Sequence, residues 1–377
     1  MTENLKVLLI DDEASSHLLP AVVEPVLAKP NDASFTRIVT EALAHVDLVL
    51  LDHNLDLSPE LSLTATDGPS LLGHLRSWAR LTGNALPPVA IYTSEEEAYA
   101  AEVPAVGPAV PLAGSFVGRE PQLAPVLDVE WLILKDAAFS KSTIVELAQA
   151  SVRLKTVAGN GRVSAAELAA YLCLPENALW NVSALEQLVR SRPPLTEPGK
   201  EGSDGSRGVA GVLRWILHRI LPYPGLLMSD QYAAWTLGVG VDDLDNLLIG
   251  DKDFNQDLAT CVFKGPVANV FGRRWWAAGL NFMAWTMRSA VDEASDEAVA
   301  LEQLTGTPIN IRDSSGRVVG HDPDLREDEF IDLDDAVQLH PPGWPAEAIE
   351  PWIRRSEAQK EPLIWAMVDP ADKQEGE

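Results

Sequence analysis

Asp11, Asp12, Asp52, Thr93 and Lys135 each stand at the end of a short apolar run. Leu5 to Ile10 leads into Asp11-Asp12, the run ending at Leu51 into Asp52, Val89 to Tyr92 into Thr93, and Trp131 to Leu134 into Lys135. Carboxylates gathered at one place suit Mg²⁺, a hard cation usually held by a few carboxylates and waters. Without a cation such groups repel one another, and at least one pKa rises. A carboxylate is also a nucleophile toward a phosphoryl group. That transfer depends mainly on positioning and on neutralising charge. Lys135 has the charge to neutralise one phosphoryl oxygen, and the Thr93 hydroxyl can donate a hydrogen bond to another.

Only a fold that brings distant chain segments together makes this set a site. Short apolar runs bounded by turn residues read as buried strands of a parallel sheet. In an open parallel sheet, ligands bind outside the carboxyl ends of the strands. The expectation from these runs is an α/β unit built on a parallel sheet. Its strands are Lys6 to Ile10, one within Ser34 to Val39, the one ending at Asp52, Val89 to Thr93, and the one ending at Lys135. A helix near Pro20 and Pro25 is expected after the first strand. Gly68 to Arg80 reads as a helix, with Leu71, Leu72, Leu75 and Trp78 at helical spacing and Asp67 as its cap. Residues 102–125 are rich in proline and glycine and read as a long loop, and Ser142 to Val157 reads as the closing helix.

The pieces Val7-Leu-Leu-Ile-Asp11-Asp12-Glu13, Asp47-Leu-Val-Leu-Leu-Asp52, Ala90-Ile-Tyr-Thr93-Ser94 and Leu132-Ile-Leu-Lys135, taken in order, resemble the receiver domains of two-component response regulators. Asp67-Gly68 and the leucine-rich helix after it resemble that family's Asp-Gly segment. The resemblance covers about residues 1–150 and implies an α/β doubly wound (flavodoxin-like) fold with a parallel five-stranded sheet. It implies Asp52 as phosphoacceptor, and Asp11, Asp12 and Asp52 as metal ligands with the Asn54 backbone carbonyl. It also implies Thr93 as the switch hydroxyl, Lys135 as the phosphate-binding cation, and Asn54 and Glu95 as the positions that tune dephosphorylation. The chain departs from the family in three places. Asp136 follows Lys135 where the family usually has a cis proline, and a Lys-Asp bond should be trans. Leu132 holds the usual aromatic switch position. The stretch between Thr93 and Lys135 is much longer than usual.

The rest of the chain reads differently. The domain expectation is 1–157 for the receiver-like part and 158–377 for a mainly α-helical domain with a small β element, with a loop at 192–208. Helical patterns run over Ser164 to Leu188, Val209 to Leu221, Ser229 to Leu248 and about 266–290. In the last, Phe271, Trp275, Ala278, Phe282 and Trp285 form one stripe, and Trp276, Leu280, Met283 and Met287 another. Core packing is the reading for the eleven tryptophans. Pro308 to Ile311 and Arg317 to Gly320 flank a turn and read as a hairpin, and Ala346 to Arg355 as a helix.

Of 377 residues, 46% are hydrophobic, as in a globular protein with a core. No run is long and apolar enough for a membrane span. The opening MTENLKVLLIDDE lacks the basic start and small-residue cleavage site of a signal peptide, so none is expected, and Cys173 and Cys261 fit an expected reducing, cytoplasmic setting with no disulfide framework. The net charge of −27 argues against a nucleic-acid binder. Residues 291–377 hold 22 acidic and 7 basic side chains, a net of −15. A solvated surface explains them, the sharper alternative being a docking face for a basic partner. Two helix-turn-helix spacings, at Glu167 to Trp180 and Gln231 to Leu244, carry acidic rather than basic second helices. Asp251 to Asp257 begins like a calcium loop but has Gln256 at the glycine position and Val262 at the bidentate glutamate position.

The expected function is that of a response-regulator-type signalling protein. It takes a phosphoryl group on Asp52 with Mg²⁺ from a histidine kinase or phosphotransfer protein, and switches a helical output domain that meets a protein partner, with a homodimer as one form it can take. It is not expected to be an enzyme beyond this phosphoacceptor chemistry. The alternatives are a phosphorylation-independent scaffold and a DNA-binding transcription regulator.

Overall fold

The computed structural model describes residues 5–55, 67–83, 86–94, 120–135, 138–157, 163–195, 211–292, 294, 296–309 and 316–374. These residues fall into two compact units. One is drawn from the chain up to Tyr171 together with Pro193–His218, the other from Leu172–Arg192 and Arg219–Glu377.

The first unit is a doubly wound α/β sheet. Its strands are β1 (Leu5–Ile10), β2 (Val23–Ala28), β3 (Leu48–Leu51), β4 (Val89–Thr93) and β5 (Trp131–Leu134). Their order is β2-β1-β3-β4-β5, and every pair is parallel. The three central strands are apolar on both faces, which is why they read as unbroken runs. Leu8, Ile10, Val49, Leu51, Val89, Ile91 and Leu132 form one buried layer with helices α1 (Phe35–Ala42), α2 (Gly68–Thr82) and α3 (Glu120–Val126). On the other face α4 (Ser140–Val157) packs against β1, β3 and β5.

The second strand lies earlier than the sequence predicts. Ser34 to Val39 opens α1, where Phe35, Val39 and Ala42 are buried at spacings of four and three. The helix expected around Pro20 and Pro25 is instead a 3₁₀ turn, Ser16–Leu18, followed by β2 with Pro25 inside it. Proline, which lacks an N–H, is tolerated in a sheet only at such an edge. Within 102–125 the described residues 120–125 are helical rather than loop, because Leu123 and Ala124 are buried against the sheet. The rest of that stretch, with Glu95 and Asp136, lies outside the described residues, as does 196–208. The short helix α5 (Ala165–Tyr171) packs on α4. Residues 211–220 form α7, whose end, Ile216–Ile220, is a π turn.

The second unit is mainly helical. Its helices include α6 (Asn181–Arg190), α8 (Asp230–Leu237), α9 (Asp243–Ile249), α10 (Asp253–Thr260), α11 (Ala277–Asp292) and α12 (Glu297–Thr305). α11 is central and meets α6, α8, α10 and α12. It is shorter than its sequence pattern. Trp275–Trp276 form strand β7, paired with β6 (Leu227–Met228), so Phe271 and Trp275 are not part of the helix. The buried stripe is Leu280, Met283 and Met287, while Trp285 of the other stripe is exposed. Arg317–His321 (β8) pairs with Glu327–Asp332 (β9), in a four-stranded sheet with Ala336–Gln338 (β10) and Trp352–Arg354 (β11), and residues 310–315 of the expected hairpin lie outside the described residues. The helix expected over Ala346 to Arg355 begins only at Arg355, because β11 occupies the residues before it. Asp251 to Asp257 is the start of a helix, with Lys252 at its cap. Among the described residues, no helix is long and apolar enough to cross a membrane.

Candidate phosphoacceptor and metal site

Strands β1, β3 and β5 deliver the acidic groups and the lysine, with β4 between the last two. Asp11 follows β1, its N–H donating to the Ala28 carbonyl at 3.2 Å. Asp52 follows β3, its N–H donating to the Ile10 carbonyl at 2.9 Å. Lys135 follows β5, its N–H donating to the Thr93 carbonyl at 2.9 Å. Sheet hydrogen bonding thus runs one residue past each strand and sets the backbone from which the side chains project.

Asp11, Asp12 and Asp52 each offer a carboxylate oxygen, and these oxygens lie within 4.8 Å of one another. Asp11 and Asp52 are buried, and Asp12 is the solvent-accessible member. The Lys135 Nζ lies 2.8 Å from Asp11 Oδ2 and 2.8 Å from Asp52 Oδ2. The Glu13 N–H donates to Asp11 Oδ1 at 2.7 Å and helps hold that carboxylate in place. Burial pushes the Asp52 carboxyl above its ordinary range, against the downward pull of Lys135. Burial also pulls the Lys135 ammonium down, but the hydrogen bonds and charges of Asp11 and Asp52 outweigh it and hold the ammonium above its usual value. The site therefore gathers three carboxylates around one cation and keeps a surplus of negative charge.

That surplus, and a donor set made wholly of oxygen, fit a hard divalent cation. The four residues Asp11, Asp12, Asp52 and Lys135 come together as the sequence predicts. Thr93 is buried at the end of β4, in register with Leu134 beside Lys135. Asn54 is exposed, two residues past Asp52.

Three further residues, Gly68, Asp67 and Tyr92, shape the site. Gly68 begins α2, and its N–H donates to the His53 carbonyl at 2.8 Å. A Cβ on residue 68 would lie 2.0 Å from the Asp52 carbonyl oxygen, so only glycine lets α2 approach the acceptor turn this closely. Asp67 caps the same helix, accepting from the Ser70 N–H at 2.7 Å. Tyr92 is the residue the sequence pattern missed. It is buried beside Thr93, its hydroxyl donates to the Leu18 carbonyl at 2.9 Å, and the Lys135 ammonium lies 5.9 Å from its ring centroid. The only sequence signal for it was an aromatic residue immediately before Thr93.

A second charge cluster lies at the other end of β5. Glu130 is buried and accepts from Arg214 Nε at 2.7 Å and from the Val89 N–H. Arg214 also pairs with Asp128, which in turn pairs with Arg76 of α2 at 3.1 Å. His218 Nε2 meets the Glu130 carbonyl at 3.0 Å, and burial pushes its pKa down to about 4. The polar Glu130 between Val129 and Trp131 was the signal for this cluster.

No protein-family model and no curated protein matches this chain.

Proposed function

We propose that this chain is a response-regulator-type signalling protein that accepts a phosphoryl group on Asp52. The observation that carries the reading is Lys135, 2.8 Å from both Asp11 and Asp52 in a pocket with surplus negative charge. A phosphohistidine on a kinase or phosphotransfer protein is the donor. An Asp52 carboxylate oxygen bonds to phosphorus as the bond from phosphorus to the imidazole nitrogen breaks, and the imidazole leaves as the neutral ring after taking a proton. Asp52 must be ionised to attack, and Lys135 opposes the protonation that burial favours. Asp11 and Asp12, with Asp52, would hold Mg²⁺, whose charge screens the carboxylates from the incoming phosphoryl oxygens. Lys135 and the Thr93 hydroxyl are the groups available to the phosphoryl oxygens once the product forms. The altered site then changes contacts with a protein partner.

Incubation with Mg²⁺ and acetyl phosphate should add the mass of one phosphoryl group at Asp52. The adduct should be sensitive to hydroxylamine and absent from Asp52→Asn. A folded protein that binds Mg²⁺ yet gains no mass would instead support a phosphorylation-independent scaffold. One observation favours that second reading: buried Leu132 stands where the resembled family carries its aromatic switch.

A further inference from the structure

The second unit carries an apolar surface that its own core does not use. Residues 175–180, between α5 and α6, lie beside α10 and α11 and leave an open groove of about 330 Å³ lined by Leu179, Trp180 and Phe282 with Glu176, Asp257 and Thr260. Leu179 is 82% exposed, Val182 one turn along is 68% exposed, and Trp285 is 63% exposed. The Phe282 and Trp285 rings lie 6.1 Å apart, which extends the groove along α11. A contiguous apolar patch of this kind marks an interaction surface, and tryptophan is the residue type most often dominant in one.

We propose that this groove docks an amphipathic, lysine- or arginine-rich helix of a partner protein. Charge decides the occupant. Among the described residues, the charged groups lining the groove are Glu176 and Asp257, both acidic. The chain as a whole carries −27, so a second copy, an anionic membrane or a nucleic acid would approach against repulsion. A basic helix gains that field as steering and places an apolar side chain against Leu179, Phe282 and Trp285. This inference does not rest on phosphoryl acceptance at Asp52.

The test uses the full chain and three labelled peptides, read by fluorescence anisotropy. The first has leucines at helical spacing with lysines on the opposite face. The second has the same composition in scrambled order, and the third has glutamates in place of the lysines. The first should bind, more weakly as salt rises, and the other two should not. Trp285→Ala and Leu179→Ala should each weaken binding about tenfold or more. Leu363→Ala, an equally exposed apolar position outside the groove lining, should leave binding unchanged. Equal binding of the scrambled peptide, binding indifferent to Trp285→Ala, or no binding of the first peptide would overturn the proposal. So would a dimer in sedimentation that Trp285→Ala abolishes, since the occupant would then be a second copy.

Discussion

The two ends of β5 carry charge clusters of opposite character. Past its C-terminal end, Lys135 faces Asp11, Asp12 and Asp52, with one cation for three carboxylates. Before its N-terminal end, Glu130 and Asp128 meet Arg214 and Arg76, two of each sign. Both clusters bury carboxylates, and burial pushes both Asp52 and Glu130 upward. The balanced cluster has its partners within the chain and acts as a clamp between α2, β5 and α7. The surplus cluster is left with charge that a ligand can answer. Burial alone does not distinguish a site from a strut; the charge balance does.

Removing one cation from each cluster gives the largest expected difference. Arg214→Ala strands Glu130 and should cost about 3–5 kcal/mol in urea unfolding, with or without Mg²⁺. Lys135→Ala should cost a similar amount without metal, and Mg²⁺ should restore much of it. Rescue of both variants by Mg²⁺, or of neither, would dissolve the distinction.

Next in size is the metal effect on the unaltered protein. Mg²⁺ at a hundred times its Kd should stabilise the fold by about 2.7 kcal/mol. A thermal scan should lose that gain in Asp11→Asn and in Asp52→Asn, and keep it in a variant of the exposed Asp32. Smaller still, Asp52→Asn should stabilise the metal-free protein by about 1 kcal/mol, because it relieves repulsion while Lys135 keeps Asp11 as a partner. A loss of stability there would mean that the site is already balanced.

Spread over about two and a half pH units, and so smallest at any one pH step, is a pH dependence on the balanced side. The His218 pKa is depressed to about 4 from 6.5. Between those values the unfolded chain binds the proton that the folded chain refuses. Stability should therefore fall as pH drops from 6.5 toward 4, by up to about 3 kcal/mol from this residue over the whole window. His218→Gln should flatten that part of a pH series of unfolding curves. His321, also depressed to about 4, contributes a parallel slope that this variant leaves in place.

The site was legible in the sequence because its strands are buried on both faces. Such strands appear as unbroken apolar runs, and each ends in the residue that matters. β2 was hidden for the opposite reason: it is an edge strand, with Glu24 and Pro25 in its middle and only Val23 and Ala28 buried. Ser34 to Val39 holds the β-branched Thr36, Ile38 and Val39, but the burial of Phe35, Val39 and Ala42 has the period of a helix. In the second unit, consecutive aromatic residues satisfied a helical pattern across Trp275 and Trp276, although backbone pairing with Leu227 and Met228 makes them a strand. The pairing of Glu130 with Arg214 joins positions far apart in the chain, with no local pattern to announce it.

The route of the polypeptide adds a practical consequence. Residues Pro193–His218 rejoin the first unit after Leu172–Arg192 have entered the second. Scissors placed after Val157, where the sequence invites a cut, would excise all five strands but discard Arg214. The excised piece would expose its defect at once, as a carboxylate shut inside with no counter-ion. Gene rearrangement faces the same obstacle: the sheet cannot be inherited as one uninterrupted stretch of coding sequence without carrying part of its neighbour along.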